Sequence, residues 1–264
     1  MTEMESTQFE NFDSFEKRVS ALWEEYAKVY PFLIHSSAYK GLVHDFLEGS
    51  NVENLRTGGE VLDLGAGTGN ITNALLEKNP AIKITAVDNN DAMVQYLNNR
   101  FSEDSRVSVK KEDIGDLDVW KKREEVFNIV ASNLVLPYIT HLNGNKGKDV
   151  LPELIKYVYG SLSEDGTFVW SSPKNEVNFG KVFKDAVTHL DFARVPGHSP
   201  IKGLKSAKRI LSHANEIAEL GRLGIFYFPK EEDIIDIMKE SGFRKITIKE
   251  SFVKQSNVIT GKKI

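Results

Sequence analysis

Val61-Leu62-Asp63-Leu64-Gly65-Ala66-Gly67-Thr68-Gly69-Asn70 runs from an apolar strand straight into three glycines at alternate positions and then into a helical pattern. Glycines at such a bend permit positive φ and let a ligand approach the main chain. The helix that follows presents free N–H groups and the positive end of its dipole, which suits anionic or hydroxyl-rich ligand groups. Taken alone, a glycine-rich loop also fits any tight strand-to-helix turn, so its meaning depends on its surroundings.

Downstream, short apolar runs alternate with helical patterns. A helix is predicted over about 70–78, a strand over 82–87, a helix over 91–101, a strand over 107–110 and a segment reaching Trp120. An apolar run over 127–132, a helix over 150–162, a turn at Ser163-Glu164-Asp165-Gly166 and a strand over 167–171 follow. This is the rhythm of βαβ units and predicts a parallel sheet. After Pro173 the alternation lapses; helical patterns over 182–192 and 204–220, separated by Pro196-Gly197-His198-Ser199-Pro200, predict an inserted cap. It resumes where Pro229 opens a helix to about Glu240, Gly242 ends it, and runs over 245–249 and 252–259 predict two last strands. Upstream, Phe15, Val19, Leu22, Trp23, Tyr26 and Tyr30 recur at helical spacing, and a second amphipathic stretch covers 39–47. Punctuation at Gly49-Ser50-Asn51 and Thr57-Gly58-Gly59 marks a module edge. The expected organisation is a helical N-terminal lid over 1–56, an α/β core over 57–173 and 229–264, and a helical substrate cap over 174–228.

Composition narrows the function classes. The chain has 264 residues, 41% hydrophobic and 27% charged, values of an ordinary globular protein with enough length for a sizeable core. Lys and Arg number 34 against 38 Asp and Glu, a formal charge of -4, which argues against a surface built to hold a phosphate backbone. The absence of Cys excludes disulfides, thiolate zinc sites, iron–sulfur clusters and a cysteine nucleophile. The acidic start Met1-Thr2-Glu3-Met4-Glu5 lacks the basic and apolar regions of a signal peptide, and no run has the roughly 18 apolar residues of a spanning helix. A cytoplasmic protein is the resulting expectation.

Asp88 ends the second predicted strand about twenty residues past the last loop glycine, where an acidic side chain can accept both hydroxyls of a ribose. A dinucleotide fingerprint would need a third glycine where Asn70 stands, which demotes NAD. The competing role for Asp88, capping the next helix, is better filled by Asp91. With these features together, Asp63-x-Gly65-x-Gly67-x-Gly69 resembles the first motif of class I S-adenosylmethionine-dependent methyltransferases, and the small-molecule branch in particular. The resemblance covers roughly 60–171 and 229–259. It implies a Rossmann-like, seven-stranded, mostly parallel sheet with the last strand antiparallel, and S-adenosyl-L-methionine as cofactor. It also implies that Asp88, flanked by Asn89, binds the ribose, and that Asp113, flanked by Ile114, approaches the adenine; a solvated turn carboxylate is the rival reading of Asp113. Asp63, Gly65, Ala66, Gly67 and Gly69 are assigned to the methionine end, with Asn133 and Leu134 at the end of strand four.

At the acceptor end the signals thin out. The polar-Pro-Pro-aromatic signature of methylases acting on nucleobase amines or glutamine amides is absent, since Asn133-Leu134-Val135-Leu136-Pro137-Tyr138 stands there. The resemblance therefore implies transfer to oxygen, nitrogen or carbon of a small organic acceptor by in-line displacement. Where a general base is needed, His35, His141, His189 and His198 are the candidates, each with a structural or solvated role as the rival. Tyr26, Tyr30, Tyr39 and Tyr227 are candidate lid residues, and no spacing of His, Asp and Glu predicts a metal site. The alternatives are an RNA methyltransferase using Lys202, Lys205, Lys208 and Arg209, or a non-catalytic binding module of the same fold.

Overall fold

The computed structural model describes residues 18–19, 21–25, 34–188 and 200–264. Its main sheet has seven strands: β1 (Glu60–Leu64), β2 (Lys83–Asp88), β3 (Val107–Lys111), β4 (Phe127–Asn133), β5 (Leu162–Pro173), β6 (Arg244–Ser251) and β7 (Ser256–Lys262). They lie in the order β3-β2-β1-β4-β5-β7-β6. All neighbours from β3 to β5 pair parallel, and β7 runs antiparallel to both β5 and β6. The helices are α1 (Ser37–Ser50), α2 (Asn70–Lys78), α3 (Asp91–Phe101), α4 (Leu117–Lys121), α5 (Val150–Gly160), α6 (Phe179–Thr188), α7 (Pro200–Arg222) and α8 (Glu231–Glu240).

The period-two alternation of buried strands decides which helix covers which face. Val61, Ile84, Ile129 and Val169 point to one side, where they pack with Leu42 and Phe46 of α1, Leu75 of α2 and Leu97 of α3. Leu62, Leu64, Val130, Phe168 and Trp170 point to the other, against Leu154, Ile155 and Val158 of α5 and Ile234 and Met238 of α8. A further apolar cluster, Val19, Leu22, Ile217, Leu220 and Phe226, joins the N-terminal helical residues to α7.

Local chemistry sets several boundaries. Ser36 caps α1 by accepting from the Tyr39 N–H at 3.2 Å, and α1 stops where Asn51 turns left-handed with φ 53°. Helix α3 is capped by Asn90, whose Oδ1 accepts from the N–H groups of Ala92 and Met93, rather than by Asp91 as the sequence reading expects. An amide oxygen reaching forward two and three residues satisfies donors that Asp91, already inside the first turn, cannot reach.

Two strand expectations need correction. The turn expected at 163–166 is a distortion within β5, where pairing with β4 jumps from Phe127↔Leu162 to Ile129↔Thr167 and Asp165 takes φ 60°. The strand expected from Phe252 starts at Ser256, because Phe252, Val253 and Lys254 all adopt left-handed φ of 52°, 57° and 60° and form the turn between β6 and β7. A two-stranded pair, His141–Leu142 with Asn145–Lys146, lies between β4 and α5 and has no counterpart in the sequence reading.

Candidate active site

The sheet order reverses between β1 and β4, and the loops leaving the carboxyl ends of the strands open a crevice there. A continuous cavity of about 410 Å³ fills it, within the range of small-molecule sites. It unites Gly65 and Gly67 after β1, Asp88 and Asn89 at the end of β2, Glu112, Asp113 and Ile114 after β3, and Asn133 and Leu134 at the end of β4.

The loop after β1 is shaped by close approach. Gly65 has φ +65°, and a Cβ there would lie 2.5 Å from the Val135 methyls. Gly69 has φ +76°, and a Cβ there would lie 2.5 Å from the Phe101 ring. Either position admits only glycine without movement of the backbone or of a packed neighbour. The loop is pinned from two sides. Gly67 N–H donates to Asp88 Oδ2 at 2.9 Å, and the Arg100 guanidinium on α3 donates to the Thr68 carbonyl at 2.7 Å.

Asp88 takes a second backbone donor, Asn90 N–H to Oδ1 at 3.0 Å. Burial pushes its carboxyl up, opposed by those N–H donors. A carboxylate has about four acceptor sites, so beyond the backbone donors Asn90, Gly67 and Asn89 this carboxylate retains capacity for a hydroxyl. Asp113 Oδ1 accepts from Gly115 N–H at 2.8 Å, so this side chain is a turn carboxylate that also lines the cavity. Glu112 beside it pairs with the buried Arg123, whose guanidinium lies 5.5 Å from the centre of the Trp120 ring.

Asp63 is turned the other way. Its carboxyl is fully buried, accepts from Thr72 Oγ1 at 2.6 Å, and is pushed up to about 7 by burial. It therefore braces β1 against α2 from behind the loop and does not line the cavity. Ala66, which donates to the Val87 carbonyl at 2.9 Å, and Gly69 are likewise outside the lining.

At the end of β4, Ser171 Oγ donates to Asn133 Oδ1 at 2.7 Å and accepts from Leu134 N–H at 2.8 Å. This fixes the amide of Asn133 at the junction of the two ends of the cavity. Leu134 itself is held at φ 56°. Ser171 and Thr72 are supporting residues that carry no signal in the sequence, since both depend on strand register and on a helix meeting a strand.

Beyond Asn133 the wall turns apolar: Trp23, Tyr138, Phe179, Val182, Ile217 and Phe252 come from five separate parts of the chain. Tyr138 is packed edge-on to Trp23 and to Phe226, with centroids 5.1 Å apart in both cases. Arg18 ties the N-terminal helical residues to α7 through Glu216 at 2.7 Å and Glu219 at 3.1 Å.

The candidate bases and lid residues are scattered. His141 lines the cavity beside Asp113, where a Cβ on Gly115 would touch its carbonyl at 2.9 Å, so it sits at the end away from the apolar wall. His35 does not line the cavity. Tyr39 is a core residue, 3% exposed among Ala38, Leu42 and Phe46, because the aromatic stripe of α1 faces the sheet. Tyr227, a lid candidate, points its hydroxyl at Asp233 Oδ2, 3.3 Å away, its phenol is pushed up to about 12, mainly by burial, and it does not line the cavity. Tyr26, Tyr30, His189 and His198 lie outside the described residues. Of the basic run, Arg209 is exposed, and the side chains of Lys202, Lys205 and Lys208 are outside the description. His44, Asp45 and Glu48 come together on the outer face of α1, and Lys249 engages both carboxylates at 2.8 and 2.7 Å. Among the described residues no helix is long and apolar enough to cross a membrane.

Residues 55–222 match the family model of a methyltransferase domain, and the chain belongs to that family, the class I S-adenosylmethionine-dependent methyltransferases. The chain is 32% identical over 113 residues to a malonyl-[acyl-carrier protein] O-methyltransferase of Acetivibrio thermocellus, a match covering 43% of this chain. That match spans about a third, 35%, of the relative's length. A trans-aconitate 2-methyltransferase of Escherichia coli is 24% identical over 185 residues, 70% of this chain and 67% of that protein. The fold is shared with phosphoethanolamine N-methyltransferase 2 of Haemonchus contortus in complex with S-adenosyl-L-methionine, at a TM-score of 0.59 and 14% identity, covering 90% of this chain and 56% of the other.

Proposed function

We propose that the protein transfers a methyl group from S-adenosylmethionine to oxygen, nitrogen or carbon of a small organic acceptor. The observation that carries this reading is the continuity of one cavity from the Asp88 carboxylate, past Asn133, into an apolar chamber.

In this reading Asp88 accepts the ribose hydroxyls through its remaining lone pairs, and Asp113 and Ile114 flank the adenine. Gly65 and Gly67 leave main-chain room for the methionine end, and Asp63 and Thr72 hold the loop's root in place. Bound there, the cofactor supplies a sulfonium methyl already activated for displacement. The chain's task is to align the acceptor and exclude water, and alignment of this kind contributes about 7–11 kcal/mol. Among the described residues the apolar chamber presents no His, Lys, Asp or Glu to act as a base. That favours an acceptor that needs none or loses its proton to solvent. Of the expected N-terminal lid of 1–56, α1 packs on the sheet, so the part around Trp23 and the cap of 174–228 are assigned to closing the chamber; Trp23, Phe179, Val182 and Ile217 on its wall support that division.

Calorimetric titration of the purified protein with S-adenosylmethionine, S-adenosylhomocysteine and NAD tests the reading. Binding of both adenosyl compounds and silence with NAD is expected. Folded, ligand-free protein that binds neither adenosyl compound would overturn it.

A further inference from the structure

We propose that the acceptor is an uncharged, ring-bearing, mostly apolar molecule, and that Phe252 is a specificity-determining residue for it; this rests on the methyl-transfer reading above. Two independent observations lead there. The first is the charge of the wall. Of the described lining residues, the ionisable ones are Asp88, Glu112, Asp113, Tyr138 and His141, with no Lys or Arg. Among the described residues, Arg123 pairs with Glu112, and Arg18 pairs with Glu216 and Glu219. A carboxylate or phosphate seated in the chamber would exchange its water for aromatic and aliphatic walls, face acids across the cavity, and meet no Lys or Arg among the described lining residues. The described lining holds no guanidinium to grip an anion bidentately, whereas flat aromatic faces and edges are plentiful: Trp23, Tyr138, Phe179 and Phe252.

The second observation is strain. Phe252, Val253 and Lys254 are three consecutive non-glycine residues in left-handed conformation, an arrangement that L-residues adopt at a cost and that persists only when surroundings impose it. The surroundings do impose it. Gln255 Oε1 accepts from Asn178 N–H at 2.7 Å, the Gln255 carbonyl accepts from Lys174 N–H at 3.0 Å, and the Gln255 side-chain amide donates back to the Val253 and Lys254 carbonyls. The start of the cap therefore holds the turn, and the turn places the Phe252 ring, 5% exposed, on the chamber wall. A plain hairpin would join β6 to β7 without that strain. Strain retained at a cavity wall that Val182 and Ile217 of the cap also line marks Phe252 as selected for what it touches.

The test is a calorimetric comparison of 2-naphthol with 2-naphthoate, probes of one ring system that differ in charge, on protein saturated with S-adenosylhomocysteine. Naphthol is expected to bind roughly ten-fold or more tightly than naphthoate. Ile217→Arg, which puts a cation on the wall, is expected to narrow or reverse that ratio, and Phe252→Ala to weaken naphthol by roughly ten-fold. Each variant's S-adenosylhomocysteine titration reports whether it is folded. Naphthoate binding as tightly as naphthol, or neither probe binding to protein that does bind S-adenosylhomocysteine, would overturn the proposal. Failure of S-adenosylhomocysteine itself to bind would instead overturn the methyl-transfer reading.

Discussion

Asp63 shows how one side chain can belong to a family motif and act at a distance from the ligand. Its carboxyl sits at the end of a central strand with no exposure to water, bonded to Thr72, with the Asp88 carboxylate nearby adding to the upward push of burial. In the unfolded chain the group titrates near 3.8, in the folded protein near 7. Between those values the folded protein keeps a proton that the unfolded chain gives up, so this group's contribution favours the fold below about pH 4. The contribution is lost progressively as pH rises towards about 7, and is level above it. Within that window the slope is up to about 1.4 kcal/mol per pH unit. Asp63→Asn, which keeps an acceptor for Thr72 and cannot ionise, is expected to remove that slope. Urea unfolding midpoints at pH 4.5, 6 and 7.5 check it; a variant as pH-dependent as the wild type over this range would contradict the buried, protonated carboxyl.

At the scale of elements, the turn between β6 and β7 is where a long-range constraint outweighs a local pattern. The run from Phe252 to Ile259 alternates like a strand, and reads as one. What sequence periodicity cannot display is Gln255 gripping the start of the cap about 77 residues away in the chain, which forces left-handed backbone on three residues. Val253 is 40% exposed at φ 57°, so its side chain gains little from packing while its β-branched backbone bears the strain. Val253→Gly is expected to raise stability by about 1 kcal/mol, or ~2–4 °C in Tm, measured by thermal unfolding. A lower Tm would mean that the turn is not strained. The same contrast explains which parts of the site were legible. The glycine loop and Asp88 lie at strand ends that follow one another in the chain, so local rhythm finds them, whereas Asp113 and Asn133 come from the family resemblance. The aromatic stripe of α1 was legible as a helix, but only the sheet packed beneath it makes Tyr39 core rather than lid.

For the whole molecule, the proposed function draws on two halves of one cavity built by different means. The half assigned to the cofactor is contiguous motif on a parallel sheet, at the point where strand order reverses. The half proposed for the acceptor is lined by Trp23, Tyr138, Phe179, Ile217 and Phe252, which no window of sequence contains together. Those residues are legible singly as apolar positions and jointly only in the fold. At the glycine-loop end stands Asp88, tied to the loop by Gly67 N–H and lining the cavity. If the cofactor's ribose is read there, removing the charge while keeping the shape should remove most of the affinity, since hydrogen bonds to a charged group are worth about 1.5–3 kcal/mol each. The decisive measurement is the calorimetric affinity for S-adenosylhomocysteine of the wild type and of Asp88→Asn, with folding of both verified by circular dichroism. A loss of roughly 100-fold or more in the variant is expected; equal affinity in two folded proteins would contradict the assignment of this cavity to the cofactor.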